Sequence, residues 1–333
     1  MSLLKEDFRF WLRRQSAWCD LRQSLALGGA EAMRRMWTWP RILRTPPVVT
    51  NPVEPGSPLE LHTMCHRGDW LLAIWMLKSF FHHSGNRPSL VIHCQNELKP
   101  SAEAHLRRHF PSARIVTPAE SNETVTDYLI RRGLPRCLHW RREMGVMQKL
   151  LDVQVLAGGV NVLGLDADIL FFQRPAELLA AGASPANTFT FQRDCADSYT
   201  INRDTARLDL GVALAPCVNT GIVLRAASAL NLVRVEEFLS HPRVARRSGH
   251  LEQTLHALCA SETGRVNYLP ATYGLSMEGK MPLRELVCRH YAGASRRWIT
   301  KEGMNHLKTQ GLLEAGQVGR STVTQLGAPD IPR

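Results

Sequence analysis

The sequence has no CxxC pair. Its eight cysteines (Cys19, Cys65, Cys94, Cys137, Cys195, Cys217, Cys259 and Cys288) are scattered singly, which argues against a zinc site or a disulfide framework and points to a reducing compartment. No stretch approaches the roughly 20 uninterrupted apolar residues of a membrane span. The N-terminus lacks the apolar core of a signal peptide, because Arg9, Arg13 and Arg14 interrupt it. A cytoplasmic protein is the expectation. P-loop, GxSxG, HExxH and GxGxxG patterns are all absent, which lowers the enzyme classes built on them, and no internal repeat is visible.

What is present reads as a globular chain, 44% hydrophobic and 21% charged. Its 333 residues fit one large α/β core with tails. The net charge of +11 implies an anionic partner: a nucleic acid, a lipid surface or a phosphorylated ligand.

Residues 1–45 carry nine basic side chains against four acidic ones, a net of about +5. Leu4, Phe8, Trp11, Leu12 and Trp18 share one face at helical spacing. This basic amphipathic segment suits either a membrane surface or a helix packed on the core or on a partner subunit. Residues 46–58 read as a proline-rich linker, residues 59–314 as the main domain, and residues 315–333 as a polar tail. Within the main domain LELHTM, SLVIHC and ARIVTP predict strands, and DWLLAIWMLKSFFHHSG predicts a helix closing at Gly85. A second helix is predicted over SAEAHLRRHF with Ser101 as N-cap, and one long helix through LHWRREMGVMQKLLDVQVLAGG. The strand NVLGL follows. This order predicts an α/β fold with a mostly parallel central sheet and helices on both faces. The C-terminal half reads as mixed, with strand candidates TFTFQR, GVALAP and TGIVLR and helices over AASALNLVRVEEFLS and HLEQTLHALCA.

The apolar run NVLGLDADILFF carries Asp166 and Asp168 where a buried strand ends, the end at which such sheets bind ligands. On an extended segment the two side chains point to one side, about 6.6–6.8 Å apart along the chain. Two carboxylates held that way repel, and burial raises the cost unless a cation or strong donors compensate. A hard divalent ion fits, because it takes carboxylate oxygens and keeps places for phosphate oxygens and water. The same pattern also arises where one aspartate caps a turn and the other meets an arginine such as Arg174.

LGLDADILFF resembles the metal-binding DxD strand end of GT-A (Rossmann-like) glycosyltransferases. HYAGASRRW, from His290 to Trp298, resembles the H-[FY]-x-G-x-x-K-P-W motif of the glycogenin-like and lipopolysaccharide galactosyltransferase-like family. The resemblance implies that His290 joins Asp166 and Asp168 as third ligand to Mn²⁺ or Mg²⁺. It also implies that Gly293 and Arg296 meet the donor diphosphate. Arg296 stands where the motif has lysine and Arg297 where it has proline; an arginine fork suits a diphosphate at least as well. Lys149, 17 residues before Asp166, resembles the basic residue that reaches the donor. Asn219-Thr220-Gly221 resembles the N-[AST]-G strand that lines the sugar pocket, which brings Asn219 and Gly221 to the donor. Glu252-Gln253 resembles the family's Asp-Gln pair at the reacting centre, with Glu252 where aspartate is usual. Thr63 and Cys65 would lie beside the nucleobase. The resemblance spans residues 59–305.

It implies a metal-dependent transfer of a sugar from a nucleotide-diphosphate donor, a UDP-sugar by analogy, to a glycan, lipid-linked or protein hydroxyl. No nucleic acid is expected. Peripheral contact with the inner face of the membrane through residues 1–45 is compatible with it. The family is retaining, with Gln253 near the sugar face; inversion would need a base such as Glu252 or Asp194. Acceptor contacts are sought in the 120–140 segment and from Arg193 to Asp209. A sugar-1-phosphate nucleotidyltransferase shares the α/β plan, but it would show a glycine-rich loop after the first strand, where HTMCHRGDW has one glycine. A basic nucleic-acid-binding protein fits the charge and leaves Asp166, Asp168 and HYAGASRRW unexplained.

Overall fold

The computed structural model describes residues 29–183 and 188–314. The apolar stripe from Leu4 to Trp18 and the tail from 315 to 333 lie outside the described residues. Among the described residues a seven-stranded sheet has the order β3-β2-β1-β4-β7-β6-β8. Its strands are β1 (Leu59–Cys65), β2 (Ser89–Cys94), β3 (Arg114–Val116), β4 (Asn161–Leu165), β6 (Phe189–Arg193), β7 (Val218–Ala226) and β8 (Val266–Tyr268). β1 runs parallel to β2 and β4, and β2 to β3; β7 is antiparallel to both β4 and β6. A three-stranded sheet joins β5 (Ile169–Phe171), β10 (Cys288–His290) and β9 (Tyr273–Leu275), with β10 in the middle. Separate apolar clusters cover the two faces of the large sheet, so the mostly parallel sheet with helices on both faces, and the mixed second half, are as the sequence predicted.

The first half follows its local signals. The helix Trp70–Ser84 ends on Gly85 in the left-handed region (φ 66°), a conformation glycine adopts without a Cβ clash. This helix is apolar nearly all round, and a helix of that kind needs cover on every side. The large sheet, β5 and the 3₁₀ turn Trp39–Arg44 supply it. Residues 46–58 are bonded to the main domain, Val48 N–H donating to His109 O (2.8 Å) and Asn51 N–H to Arg87 O (3.1 Å), and they turn at Glu54–Ser57 before β1.

Several expectations are corrected. The helix at 100 begins at Pro100 with Lys99 as N-cap, not Ser101, because proline's fixed φ suits the first helical position. The predicted long helix is two, Pro135–Glu143 and Gln148–Leu156, separated by extended Met144 (φ −138°, ψ 110°) and a 3₁₀ turn over Gly145–Met147. Glycine is a weak helix former, and Gly145 O is taken by Gln95 Nε2 (2.9 Å). GVALAP is no strand; Gly211 (φ 68°) caps the helix Arg203–Leu210 instead. The 120–140 segment is largely helical, as Pro118–Arg131 capped by Thr117 and as the start of Pro135–Glu143.

One buried charge yields a stability prediction. Lys78, 2% exposed, donates to Pro46 O, and burial, aided by Arg108, lowers its pKa to about 7. The folded state therefore binds this proton less readily than the unfolded chain. The penalty is full below pH 7 and is relieved as pH rises toward the ordinary lysine value. Lys78→Met is expected to stabilise the protein at pH 6 by on the order of 2–4 kcal/mol. Urea unfolding at pH 6 and pH 9.5 checks this, with the advantage shrinking at the higher pH.

Candidate active site

The two aspartates do not lie on one strand. β4 ends at Leu165 in the large sheet and β5 begins at Ile169 in the small one, and the chain turns between them. Asp166 N–H donates to Gly221 O (2.9 Å), and Asp168 O accepts from Tyr291 N–H (2.9 Å). The turn is thus held by β7 on one side and by the residue after β10 on the other. One ligand atom from each of Asp166, Asp168 and His290 lies within 4.8 Å of the others, closer than the spacing along an extended chain predicts. His290 Nε2 is 3.2 Å from Asp168 Oδ1 and 3.8 Å from Asp166 Oδ2.

The tautomer of His290 follows from its neighbours. Its Nδ1 lies 3.0 Å from Gln192 Oε1 and 3.1 Å from Asn219 Oδ1. Both amides are oriented by their other ends: Gln192 Nε2 donates to Tyr273 O (3.1 Å) and Gly274 O (3.2 Å), and Asn219 Nδ2 to Asp194 Oδ2 (3.0 Å). Two carbonyl-type oxygens on Nδ1 require Nδ1–H to donate. In the neutral ring Nε2 then presents its lone pair to two carboxylates, and buried Asp168 Oδ1 accepts no hydrogen bond. Acceptors facing one another in a buried site call for a cation between them. A divalent ion with oxygen and imidazole ligands fits this donor set.

Cations of the chain surround the cluster. Lys149 Nζ pairs with Asp166 Oδ1 at 2.7 Å and lies 4.0 Å from Glu252 Oε2. Burial would lower its pKa, but Asp166 and Glu252 outweigh that and raise it. Arg296 Nε donates to Asp168 Oδ2 at 2.8 Å, with half its side chain exposed. Burial pushes the Asp168 carboxyl up, yet without a metal a protonated His290 imidazole and Arg296 more than offset it and hold the group well below the carboxylate range, so the site demands positive charge at the position of the Nε2 proton or of a bound ion. Gly293, at φ 53°, starts the 3₁₀ segment Gly293–Trp298 that carries Arg296.

Glu252, 2% exposed, sits behind Lys149. It accepts from Thr220 Oγ1 (2.8 Å), and its Oε1 lies 2.8 Å from His256 Nδ1. Burial raises its pKa, while Lys149 and His256 bring it below the usual value. Gln253 accepts from Thr220 N–H (3.4 Å) and donates to Ser198 O (2.9 Å) and Asp194 Oδ2 (3.4 Å). Gly221 leaves room for the imidazole: a Cβ there would lie 2.3 Å from His290 Cε1. Thr63 and Cys65 are buried on β1, the strand beside β4. The Thr63 hydroxyl donates to Leu165 O (2.9 Å), and burial pushes the Cys65 thiol well up.

Three participants were not read from the sequence. Gln192 orients His290, His256 backs Glu252, and Asp69, after β1, is pushed up to about 6 by burial, which the His66 N–H bond and Arg296 oppose. The i, i+4 spacing of Glu252 and His256 was a visible signal. Gln192 had none, since the β-bulge between Phe191 and Gln192 shifts its register on β7.

Compared by sequence, the chain matches no protein-family model and no curated protein. Compared by structure, it is similar to the WbbM bifunctional glycosyltransferase in its apo form, with TM-score 0.50 and 13% identity over 81% of this chain and 52% of that one. It therefore spans about half the length of WbbM. Mouse xyloside xylosyltransferase 1, also apo, aligns at TM-score 0.48 and 13% identity, covering 73% of this chain and 98% of that one. The galactosyltransferase LgtC, solved with donor and acceptor sugar analogues, aligns at TM-score 0.49 and 14% identity, covering 76% and 95%. The fold is that of the GT-A glycosyltransferases, as the resemblance implied.

Proposed function

We propose that the chain is a divalent-metal-dependent glycosyltransferase that takes a sugar from a nucleotide diphosphate, a UDP-sugar in the first instance, to a hydroxyl acceptor. The observation that carries this reading is the convergence of Asp166, Asp168 and His290 within 4.8 Å, with His290 Nδ1 engaged by Gln192 and Asn219. Mn²⁺ or Mg²⁺ held by those three residues would supply Lewis-acid stabilisation of the departing diphosphate. Arg296, half exposed beside Asp168, adds fixed positive charge where the leaving oxygen becomes anionic. Lys149 holds Asp166 in place and faces the donor. Asn219 and Gly221 shape the sugar side of the site, and Gly293 lets the backbone approach the diphosphate. Thr63 and Cys65 are assigned to the wall near the base.

Retention of anomeric configuration is supported by the state of the two carboxylates an inverting reaction would use as base. Glu252 and Asp194 are both buried and engaged by hydrogen bonds, which leaves Gln253 as the polar group proposed at the sugar face. For the acceptor, an open cavity of about 660 Å³ lined by Tyr199, Asn202, Arg203 and Arg207 adjoins Ser198, the partner of Gln253. Among the described residues no helix is long and apolar enough to cross a membrane. Peripheral contact with an anionic membrane is motivated by exposed Met33 and Trp37 on the helix Gly29–Thr38, beside exposed Arg34, Arg41 and Arg44. Sedimentation with anionic liposomes tests it, and binding that persists after removal of residues 1–45 overturns it.

The enzyme reading is tested by thermal shift and donor hydrolysis across nucleotide sugars, with and without Mn²⁺. At a hundredfold excess over Kd the productive donor is expected to raise Tm by about 4 °C, in the presence of metal only. A screen in which no nucleotide sugar gives a metal-dependent shift defeats the proposal.

A further inference from the structure

The helix Gly29–Thr38 and the turn Trp39–Arg44 precede the stretch that resembles glycosyltransferases, yet they are joined to the back of the loop that carries Arg296. Arg35 Nη2 donates to the backbone carbonyl of Arg296 at 3.2 Å. Trp39 Nε1 donates to Thr300 Oγ1 at 3.0 Å, and Thr300 is fully buried. Trp39 is fixed from its other side as well, its carbonyl accepting Trp75 Nε1–H at 3.0 Å from the core helix Trp70–Ser84. The Arg35 guanidinium lies 5.1 Å over the Trp39 ring, and its Nε is 3.7 Å from buried Glu31. The contacts form a chain from the central helix, through Trp39 and Arg35, to two points of one short segment, residues 296 and 300.

That segment has weak means of holding its own shape. Gly293–Trp298 is a 3₁₀ helix and Thr300–Met304 a π turn, both with poorer hydrogen-bond geometry than an α-helix. Gly293 at its start has φ 53°, a conformation with little steric constraint for glycine. Arg296 must nonetheless reach Asp168 within 2.8 Å. External bonds at residues 296 and 300 supply what the local backbone lacks.

We propose that Arg35 and Trp39 are positioning residues of the donor site, fixing the Gly293–Met304 segment so that Arg296 is presented to the donor diphosphate. The proposal rests on the reading of Arg296 as a diphosphate ligand. Neither Arg35 nor Trp39 touches the donor; both act through the segment's backbone and Thr300.

The test uses the full chain with UDP and Mn²⁺ as probe. Trp39→Phe and Thr300→Val each remove the same hydrogen bond and keep most of the volume, so one variant remains informative if the other folds poorly. Each is expected to weaken UDP binding about tenfold, the scale of outer supporting contacts, and to lower kcat as well, because Arg296 also faces the charge that develops on the leaving oxygen. Amide exchange at Ile299–Met304 should accelerate while the large sheet stays protected. The double variant should be no weaker than either single one, because both remove one bond. Unchanged UDP affinity in both variants overturns the positioning role, whether or not exchange accelerates. Arg296→Ala separates the two failures. If Arg296→Ala leaves UDP binding intact, the diphosphate reading falls and the proposal with it; if it weakens binding while Trp39→Phe and Thr300→Val do not, only the positioning role falls.

Discussion

Asp168→Asn is expected to lower the transfer rate by about 10²- to 10³-fold, on the scale of removing one preorganised electrostatic group from a dry site. The carboxylate is nearly fully buried, with Oδ2 bonded to Arg296 Nε and Oδ1 facing His290 Nε2 without a hydrogen bond. An asparagine keeps the volume, and its Nδ2–H₂ can donate to the His290 Nε2 lone pair. The metal-free fold should therefore tolerate the change. What disappears is the negative charge that holds a cation, so the Mn²⁺-dependent rise in Tm on adding nucleotide sugar should vanish with the activity. Steady-state hydrolysis of the donor and paired thermal melts with and without Mn²⁺ measure both effects. A variant with wild-type turnover, or with its metal-dependent shift intact, would remove Asp168 from the metal set.

The parts of this site that could be read in the sequence were those whose chemistry sits in residue type and short spacing. Asp166, Asp168 and His290 do meet in space, and Lys149 and Arg296 do flank them. The geometry joining them was not legible. A run as apolar as NVLGLDADILFF predicts one strand, yet the chain leaves the large sheet at Leu165 and enters the small one at Ile169. Which sheet each half joins depends on β7 and β10, paired from more than fifty residues away. The parallel half of the fold was readable because β2, β3 and β4 are short, largely apolar runs near glycine or proline. Met144–Met147 was misread for the opposite reason: helical periodicity continues through it, and one glycine, Gly145, with the tertiary contact of Gln95 to its carbonyl marks the break. Thr117 with Glu120 was a readable helix start, Thr117 Oγ1 accepting from Glu120 N–H, and it was passed over because ARIVTP read as a strand to its end.

Gly221→Ala should show how tightly the imidazole is held. The added methyl would stand 2.3 Å from His290 Cε1, 2.4 Å from Nδ1 and 2.9 Å from Asn219 Oδ1, all inside van der Waals contact. Gly221 lies inside β7, just past its register with β4 and opposite the bulge in β6, and both its backbone polar groups are committed: its carbonyl accepts Asp166 N–H and its own N–H donates to Asn219 Oδ1. The ring is expected to yield, breaking the Nδ1–H bonds to Gln192 and Asn219 and turning Nε2 away from the aspartates. Overpacking of this kind costs about 1–3 kcal/mol of stability, and misplacing one ligand by about 1 Å lowers the rate by about 10²-fold. Gly164→Ala is the control. It lies on neighbouring β4, where a Cβ meets Val223 at 3.8–3.9 Å, an ordinary contact, and it should leave stability and metal dependence near wild type. The cause is isolated by the double variant Gly221→Ala with His290→Ala. If the clash is with the ring, removing the ring recovers stability relative to the additive expectation, while activity stays lost because the third ligand is gone. Additive losses of stability would instead locate the strain in the β7 backbone or at Asn219, and His290 would then be held by less than its hydrogen bonds imply.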